Sequence, residues 1–102
     1  MEPLGQGASL PRIQDYVRRM EAERGLDHQD LTSWCLKLGQ EVGKLYGAAQ
    51  GSPLDPGRRA ADVRDKAAAA LIPLMAIANR CDINLEDAFR VKENRNESRA
   101  WV

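Results

Sequence analysis

The stretch Leu31–Ala49, LTSWCLKLGQEVGKLYGAA, decides the fold because it has the pattern of one amphipathic helix. Its apolar residues recur at steps of three and four, which is the period of an α-helix. They are Leu31, Trp34, Cys35, Leu38, Val42, Leu45 and Tyr46. Glu41 lies among these apolar neighbours, and Lys44 follows it by three residues on roughly the same side. The stretch therefore predicts a core helix that carries a charged pair.

The composition of the whole chain favours an all-α fold. Its 102 residues suffice for one small domain, aromatic residues make up only 5%, and no run alternates β-branched with polar residues. The 15 basic residues are balanced by 15 acidic residues, which argues against nucleic acid as a partner. No apolar run approaches the length that a bilayer requires, so we expect a cytoplasmic protein with no membrane partner.

Capping and proline signals divide the rest of the chain into helices. Residues 1–9 lack periodicity and are expected to form a disordered tail, whereas residues 10–102 are expected to form a single helical domain. The further helices are predicted at about Pro11–Arg24, at about Pro56–Asp82, and from Asn84 onward with Leu85, Ala88 and Phe89 turned inward. Pro73 interrupts an apolar run and predicts a kink or break near Ala69–Pro73.

Cysteine and histidine usage limits the chemistry of the chain. Cys35 and Cys81 are not in a C-x-x-C motif, and we interpret them as reduced, buried thiols, with a disulfide or a metal role as the alternatives. His28 is the single histidine, which argues against a histidine-based zinc site and against a catalytic triad.

Two glycines interrupt the opening helix. Gly39 and Gly43 lie four residues apart, and each weakens a helix by roughly 1 kcal/mol relative to alanine. They indicate that another backbone or a ligand comes close at this point, with simple tolerance as the alternative.

Two segments resemble a known family of enzymes. The segment 34–45, WCLKLGQEVGKL, resembles the first signature of the MazG-like all-α nucleoside triphosphate pyrophosphohydrolases, which usually reads L-x-x-E-V-G-E-L. The segment 77–101, IANRCDINLEDAFRVKENRNESRAW, resembles the C-terminal block of that family, in which an apolar-A-N-R step precedes K-x-x-x-N-x-x-R. The tail residues of that block are Lys92, Asn96 and Arg99 in this chain.

The resemblance implies a fold, a cofactor and an assembly. It implies a four-helix MazG-like bundle that is completed by dimerisation, as a homodimer or a dimer of dimers. Enzymes of this family hold Mg²⁺ with four carboxylates, in an E-x-x-E on one helix and an E-x-x-D on the next. They hydrolyse a nucleoside triphosphate to the monophosphate and pyrophosphate. Hard oxygen ligands in octahedral geometry are what Mg²⁺ requires.

The chain departs from the family at these metal ligands. The first motif reads Glu41-Val-Gly-Lys44, so its second carboxylate is replaced by an ammonium group. Alignment on the Ala78-Asn79-Arg80 step places Lys66 and Ala69 where the second pair of acids is expected. An ammonium group has no lone pair with which to bind Mg²⁺ and repels it. Glu41 is then the one remaining, vestigial metal ligand of the four.

Three interpretations of this departure remain open. In the preferred one, the site is degenerate, and Lys44 or Lys66 occupies the place of the metal and pairs with Glu41. Because a lysine can neutralise phosphate as a point charge, such a site binds nucleotide or phosphate with little or no Mg²⁺-dependent hydrolysis. In the second, the chain is a non-catalytic structural or interaction bundle. In the third, the acids have moved to Asp62 and Asp65, and the chain is an active pyrophosphohydrolase. A shift of one helical turn displaces a ligand by about 5.4 Å, which disfavours this third interpretation.

The C-terminal residues and the tryptophans have alternatives of their own. Lys92, Asn96 and Arg99 are read either as phosphate contacts, which the resemblance implies, or as a solvated helix end. Trp34 is a candidate for stacking on a base, although Trp34 and Trp101 are more typical of core or interface anchors.

Overall fold

The computed structural model describes residues 1–51 and 54–99, and these residues form four α-helices and no strand. The helices are α1 (Leu10–Glu23), α2 (Leu31–Ala49), α3 (Pro56–Arg80) and α4 (Leu85–Glu97). The expected all-α class and number of helices are thereby confirmed. Trp101 lies outside the described residues.

Each helix begins after a residue whose side chain accepts a hydrogen bond from the backbone N–H three positions later. These caps are Ser9, Asp30, Asp55 and Asn84. The shortest of these hydrogen bonds joins the Ser33 N–H to Asp30 Oδ1 at 2.8 Å, and it holds the pKa of the Asp30 carboxyl below its ordinary value. Local sequence thus determines where every helix begins.

Helix α3 continues through its interior proline. Pro73 is fully buried within a helix that runs without a break from Pro56 to Arg80, so the predicted break is absent, whereas a kink at this position stays a prediction. Proline has no N–H for the usual bond to the carbonyl four residues earlier. Burial of the apolar proline ring is favourable and offsets part of that loss.

Helix α3 is central to the packing and contacts both α1 and α2. The chain reverses after Ala49, and α3 packs along α2; α1 packs against α3, and α4 packs mainly against α1. The buried apolar cluster is small and draws on α1, α2 and α3: Val17, Met20, Trp34, Met75 and Ala76.

A polar network joins α1 to the turn between α3 and α4. The Gln14 side chain donates to the Ile83 carbonyl at 2.7 Å and accepts from the Leu85 N–H at 2.9 Å. The Asn79 side-chain amide donates to the backbone carbonyl of Gln14 at 2.9 Å, and the Gln14 side-chain amide donates to Asn79 Oδ1 at 3.3 Å. Gln14 is 6% exposed, so these bonds satisfy a side chain that water cannot reach.

A buried ion pair joins α1 to α3. Arg80 Nη2 lies 2.6 Å from Glu21 Oε1, and the Glu21 side chain is 4% exposed. The Arg80 guanidinium also donates to the Gln29 carbonyl at 2.7 Å and to the Ala76 carbonyl at 3.2 Å. The Asn79-Arg80 step of the family-like motif therefore holds the helices together in this chain.

Several apolar and thiol side chains are more exposed than the sequence suggests. Cys35 and Cys81 are free thiols, as expected, but both are exposed, so their expected burial is wrong. Phe89 is 65% exposed and Ala88 is exposed, because α4 has little packed against it and contains no buried residue. Leu85 is half-buried against the core and anchors the start of α4.

The N-terminal segment, which precedes α1, has no regular secondary structure and lies alongside that helix. In residues 1–9 the Met1 amino group lies 3.8 Å from the Glu23 carboxylate, and Glu2 lies 3.9 Å from the Arg19 guanidinium. The disorder expected of this tail stays a prediction. Within residues 1–51 and 54–99, no single helix is both long enough and apolar enough to cross a membrane; α3 and α4 together reach those limits but are bent by 96° between them.

Candidate functional site

The Glu41 carboxylate is the most unusual charged group of α2 because it is buried. The residue is 5% exposed on the side of the helix that faces α3. It occupies the inward line of α2 together with Trp34, which is buried, and with Leu38 and Leu45, which are half-buried. A buried carboxylate requires a partner of opposite charge or hydrogen-bond donors.

Two lysines of the same helix supply that partner. Lys37 Nζ lies 3.0 Å from Glu41 Oε1, and Lys44 Nζ lies 3.6 Å from the same oxygen. The hydrogen bond from Lys37 is the main reason that the pKa of the Glu41 carboxyl lies below its ordinary value, and the positive charges of Lys37 and Lys44 act in the same direction against burial. The carboxylate is therefore ionised near neutral pH, and it is paired with one lysine a turn before it and with another a turn after it on the same helix.

Lys37 is the residue of this cluster that the sequence interpretation did not include. Its spacing of four residues from Glu41 is a recognised helical ion-pair spacing, so a signal for it was present in the sequence. Lys66 of α3, which the alignment places in the same site, lies instead 3.4 Å from Asp65 Oδ2 through its Nζ atom. The expected Glu41–Lys44 contact is present, whereas Lys66 pairs along its own helix.

The residues around Glu41 do not fit a magnesium ion. Mg²⁺ requires several oxygen ligands, and the single Glu41 carboxylate is already neutralised by ammonium groups. Asp62 and Asp65 are both exposed on α3, and Asp65 pairs with Lys66. Across the described part of the chain, no group of three or more His, Cys, Asp or Glu side chains is arranged to hold a metal ion.

The three candidate phosphate contacts of the C-terminal block lie on or just beyond α4. Lys92 and Arg99 are exposed and Asn96 is half-buried. Helix α4 packs mainly against α1, whereas Glu41 faces α3, so the fold does not gather these residues around Glu41 within one chain. Their role in phosphate binding stays a prediction.

Trp34 is a packing residue whose ring is already covered. The Arg80 guanidinium carbon lies 5.4 Å from the ring centroid, in a cation–π contact, and the residue is 8% exposed. The buried Nε1–H has no hydrogen-bond acceptor among the described residues. A groove of about 400 Å³ borders this ring and is lined by Leu26, Gln29, Ser33, Trp34, Leu36, Lys37 and Gln40. Stacking on a base would require the ring to become more exposed.

Comparison with known proteins adds no relative to this description. No protein-family model matches the chain, and no curated protein is similar enough to count as a match.

Proposed function

We propose that this chain is a MazG-like module that binds a polyphosphate anion, such as the triphosphate of a nucleotide, with little or no Mg²⁺-dependent hydrolysis. The observation that carries this proposal is the pairing of one buried carboxylate, Glu41, with the two ammonium groups of Lys37 and Lys44. The MazG-like resemblance assigns this position to a metal ligand, and here lysines supply the positive charge that a metal would bring.

The charge of the cluster suits an anion. Two lysines and one carboxylate leave a net charge of one positive unit, and the lysine side chains are 51% and 54% exposed, so a ligand can reach them. The ammonium groups of Lys37 and Lys44 lie 3.0 Å and 3.6 Å from the same Glu41 oxygen, so they lie close to each other. Neighbouring phosphate groups of a triphosphate can therefore contact both of them, each lysine acting as a point charge.

A calorimetric titration tests this proposal without relying on turnover. We expect inorganic tripolyphosphate and a nucleoside triphosphate to bind at low salt without added metal, and the affinity to fall as salt is raised. Lys44→Gln should weaken binding by roughly 2- to 10-fold, because one direct charge contact worth about 0.5–1.5 kcal/mol is lost. Arg90→Gln, which removes an exposed cation from α4, should leave the affinity unchanged and serves as the control. Absence of binding by the wild-type chain at millimolar ligand would refute the proposal.

The same titration locates the anion. If Lys92→Gln abolishes binding and Lys44→Gln does not, the anion binds on α4, and the assignment of the binding site to α2 is wrong. Nucleotide that binds no better than tripolyphosphate would indicate that the base contributes nothing, and Trp34 would then have no stacking role.

A second candidate function is a structural or interaction bundle that binds no nucleotide. It is favoured by the exposure of Lys92, which lies on a helix that packs mainly against α1, and of Arg99, which lies just beyond the end of that helix. This candidate requires that tripolyphosphate, nucleotide and Mg²⁺ all leave the melting temperature unchanged. The active-enzyme alternative, with Asp62 and Asp65 as relocated ligands, requires Mg²⁺-dependent release of pyrophosphate from a nucleoside triphosphate, and loss of that release in Asp62→Asn.

A further inference from the structure

The groove beside Trp34 lies between α2 and the loop that precedes it, and we call it the Trp34 groove. Its lining includes three large apolar residues, Leu26, Trp34 and Leu36, and Lys37 is the one charged residue among the described residues that line it. We propose that the Trp34 groove binds a small aliphatic carboxylate, with the alkyl chain against the apolar residues and the carboxylate beside the Lys37 ammonium group. This proposal does not depend on polyphosphate binding, because an alkyl chain has no counterpart in a polyphosphate.

The size and the lining of the Trp34 groove are those of a small-molecule site. Such sites typically have volumes of about 300–1,000 Å³ and are mostly apolar, with a few polar groups that fix the orientation of the ligand. The volume of the Trp34 groove is about 400 Å³. Leu36 on its wall is 65% exposed, so water contacts much of this leucine in the free chain. An alkyl chain that covers Leu36 removes apolar surface from water, which favours binding.

The indole of Trp34 supplies a second observation that points to a ligand. Its Nε1–H is buried and has no acceptor among the described residues. A buried donor without an acceptor is unfavourable, so a ligand that supplies one gains affinity. Trp34 and Lys37 are three residues apart and therefore lie on the same side of α2. One carboxylate can accept from the Lys37 ammonium group and, once the long side chains that line the groove move aside, from the indole N–H.

The charge of the Trp34 groove favours a carboxylate over a neutral or cationic ligand. The Lys37 side chain is 51% exposed, and its Nζ atom lies 3.0 Å from the Glu41 carboxylate. An ammonium group has three N–H donors, so the contact with Glu41 leaves donors for a ligand. The Glu41 charge is also opposed by Lys44 at 3.6 Å, which leaves the three groups with a net positive charge. An aliphatic carboxylate thus meets positive charge at one end and apolar side chains along its length.

An NMR titration of the ¹⁵N-labelled chain with hexanoate and octanoate, below the concentrations at which they form micelles, tests this proposal. We expect octanoate to bind more tightly, by about 4-fold for each added methylene that the groove buries. The indole N–H signal of Trp34 should move downfield as it gains an acceptor, and Trp101→Phe identifies that signal because it leaves one tryptophan. Three results would overturn the proposal: no octanoate binding at millimolar ligand, equal dissociation constants for the two acids, or an indole signal that does not move.

Matched variants test the two ends of the ligand separately. Leu36→Gln should raise the dissociation constant of octanoate by roughly 4-fold or more, because at least the equivalent of one methylene contact is lost. The control is Leu71→Gln on α3, a 40% exposed leucine outside the lining of the groove, and it should leave the constant unchanged. Lys37→Gln should raise the constant roughly 2- to 10-fold for octanoate but leave that for octan-1-ol unchanged. Equal effects of the two leucine variants, or octan-1-ol that binds the wild-type chain as tightly as octanoate, would contradict the assigned groove.

The same variants separate this proposal from polyphosphate binding. Leu36→Gln should leave the affinity for tripolyphosphate unchanged, since tripolyphosphate has no apolar part. Octanoate binding in a chain that does not bind tripolyphosphate would support the Trp34 groove and refute the polyphosphate site. Tripolyphosphate binding in a chain that does not bind octanoate would have the opposite meaning.

Discussion

Replacing Arg80 by methionine should destabilise the fold far more than the loss of an ordinary ion pair. The guanidinium lies 2.6 Å from Glu21, whose side chain is 4% exposed, and it also donates to two backbone carbonyls. Methionine retains an apolar stem against the Trp34 ring but leaves the Glu21 carboxylate buried without its cation. Removing one partner of a buried pair costs about 3–5 kcal/mol.

Urea denaturation followed by circular dichroism measures this loss. With an m-value of about 1–2 kcal/mol per molar urea for a chain of this size, the midpoint should fall by roughly 1.5–5 M. The control is Arg90→Met: Arg90 pairs with Glu86 at 3.3 Å, but the two side chains are 70% and 41% exposed. Such a surface pair contributes about 0.2–1 kcal/mol to stability, so the urea midpoint of Arg90→Met should lie less than about 1 M below that of the wild-type chain.

Two further variants keep the argument testable if Arg80→Met does not fold. Arg80→Lys retains the charge but loses the forked geometry, and it should lie between the wild-type chain and Arg80→Met. Glu21→Gln combined with Arg80→Met removes the stranded carboxylate and should be more stable than Arg80→Met alone. Equal midpoints for Arg80→Met and Arg90→Met, at the same protein concentration, would refute the claim that the buried network holds α1 on α3.

Two other outcomes follow from the buried polar groups. Gln14→Leu leaves the Leu85 N–H and the Ile83 carbonyl without this partner, so the free energy of unfolding measured in urea should fall by about 1–3 kcal/mol. The control is Gln40→Leu at an exposed position, which should change the free energy of unfolding by less than about 0.5 kcal/mol. The folded-state pKa of Glu41 lies below the ordinary 4.5, so its ionised form stabilises the fold above that pH. The advantage of the wild-type chain over Glu41→Gln should therefore be constant near neutral pH and disappear as the pH falls through the folded-state pKa; an advantage that grows on acidification would contradict the assigned ion pairs.

Local features of this chain could be predicted from its sequence because they depend on neighbours in the sequence. The caps at Asp30 and Asn84 require only a side-chain oxygen and the backbone three residues on. The Glu41–Lys44 contact likewise depends on helical spacing alone. These interactions form whatever the rest of the fold does, and for that reason the pattern of residues is sufficient to find them.

Features that depend on the arrangement of helices could not be predicted in the same way. The apolar stripe of α2 was interpreted as one surface, but α3 covers only Trp34 and its inward neighbours and leaves Val42 and Tyr46 exposed. A periodic pattern does not reveal which part of a wide stripe meets a helix of the same chain. Nor does it reveal that Gln14 and Glu21, both polar, are buried, because their partners are more than 50 residues away in sequence.

Helix α4 has a consequence for the dynamics of the protein. It has no buried residue, and its attachment depends on Leu85, the Asn84 cap and its packing against α1. A segment with so little buried surface opens locally at a small fraction of the free energy of global unfolding. Its backbone amides should therefore exchange with deuterium well before those of α3 around Met75. A ligand held by Lys92 would bind the closed form of α4, so ligand binding and slower amide exchange in α4 would be thermodynamically linked.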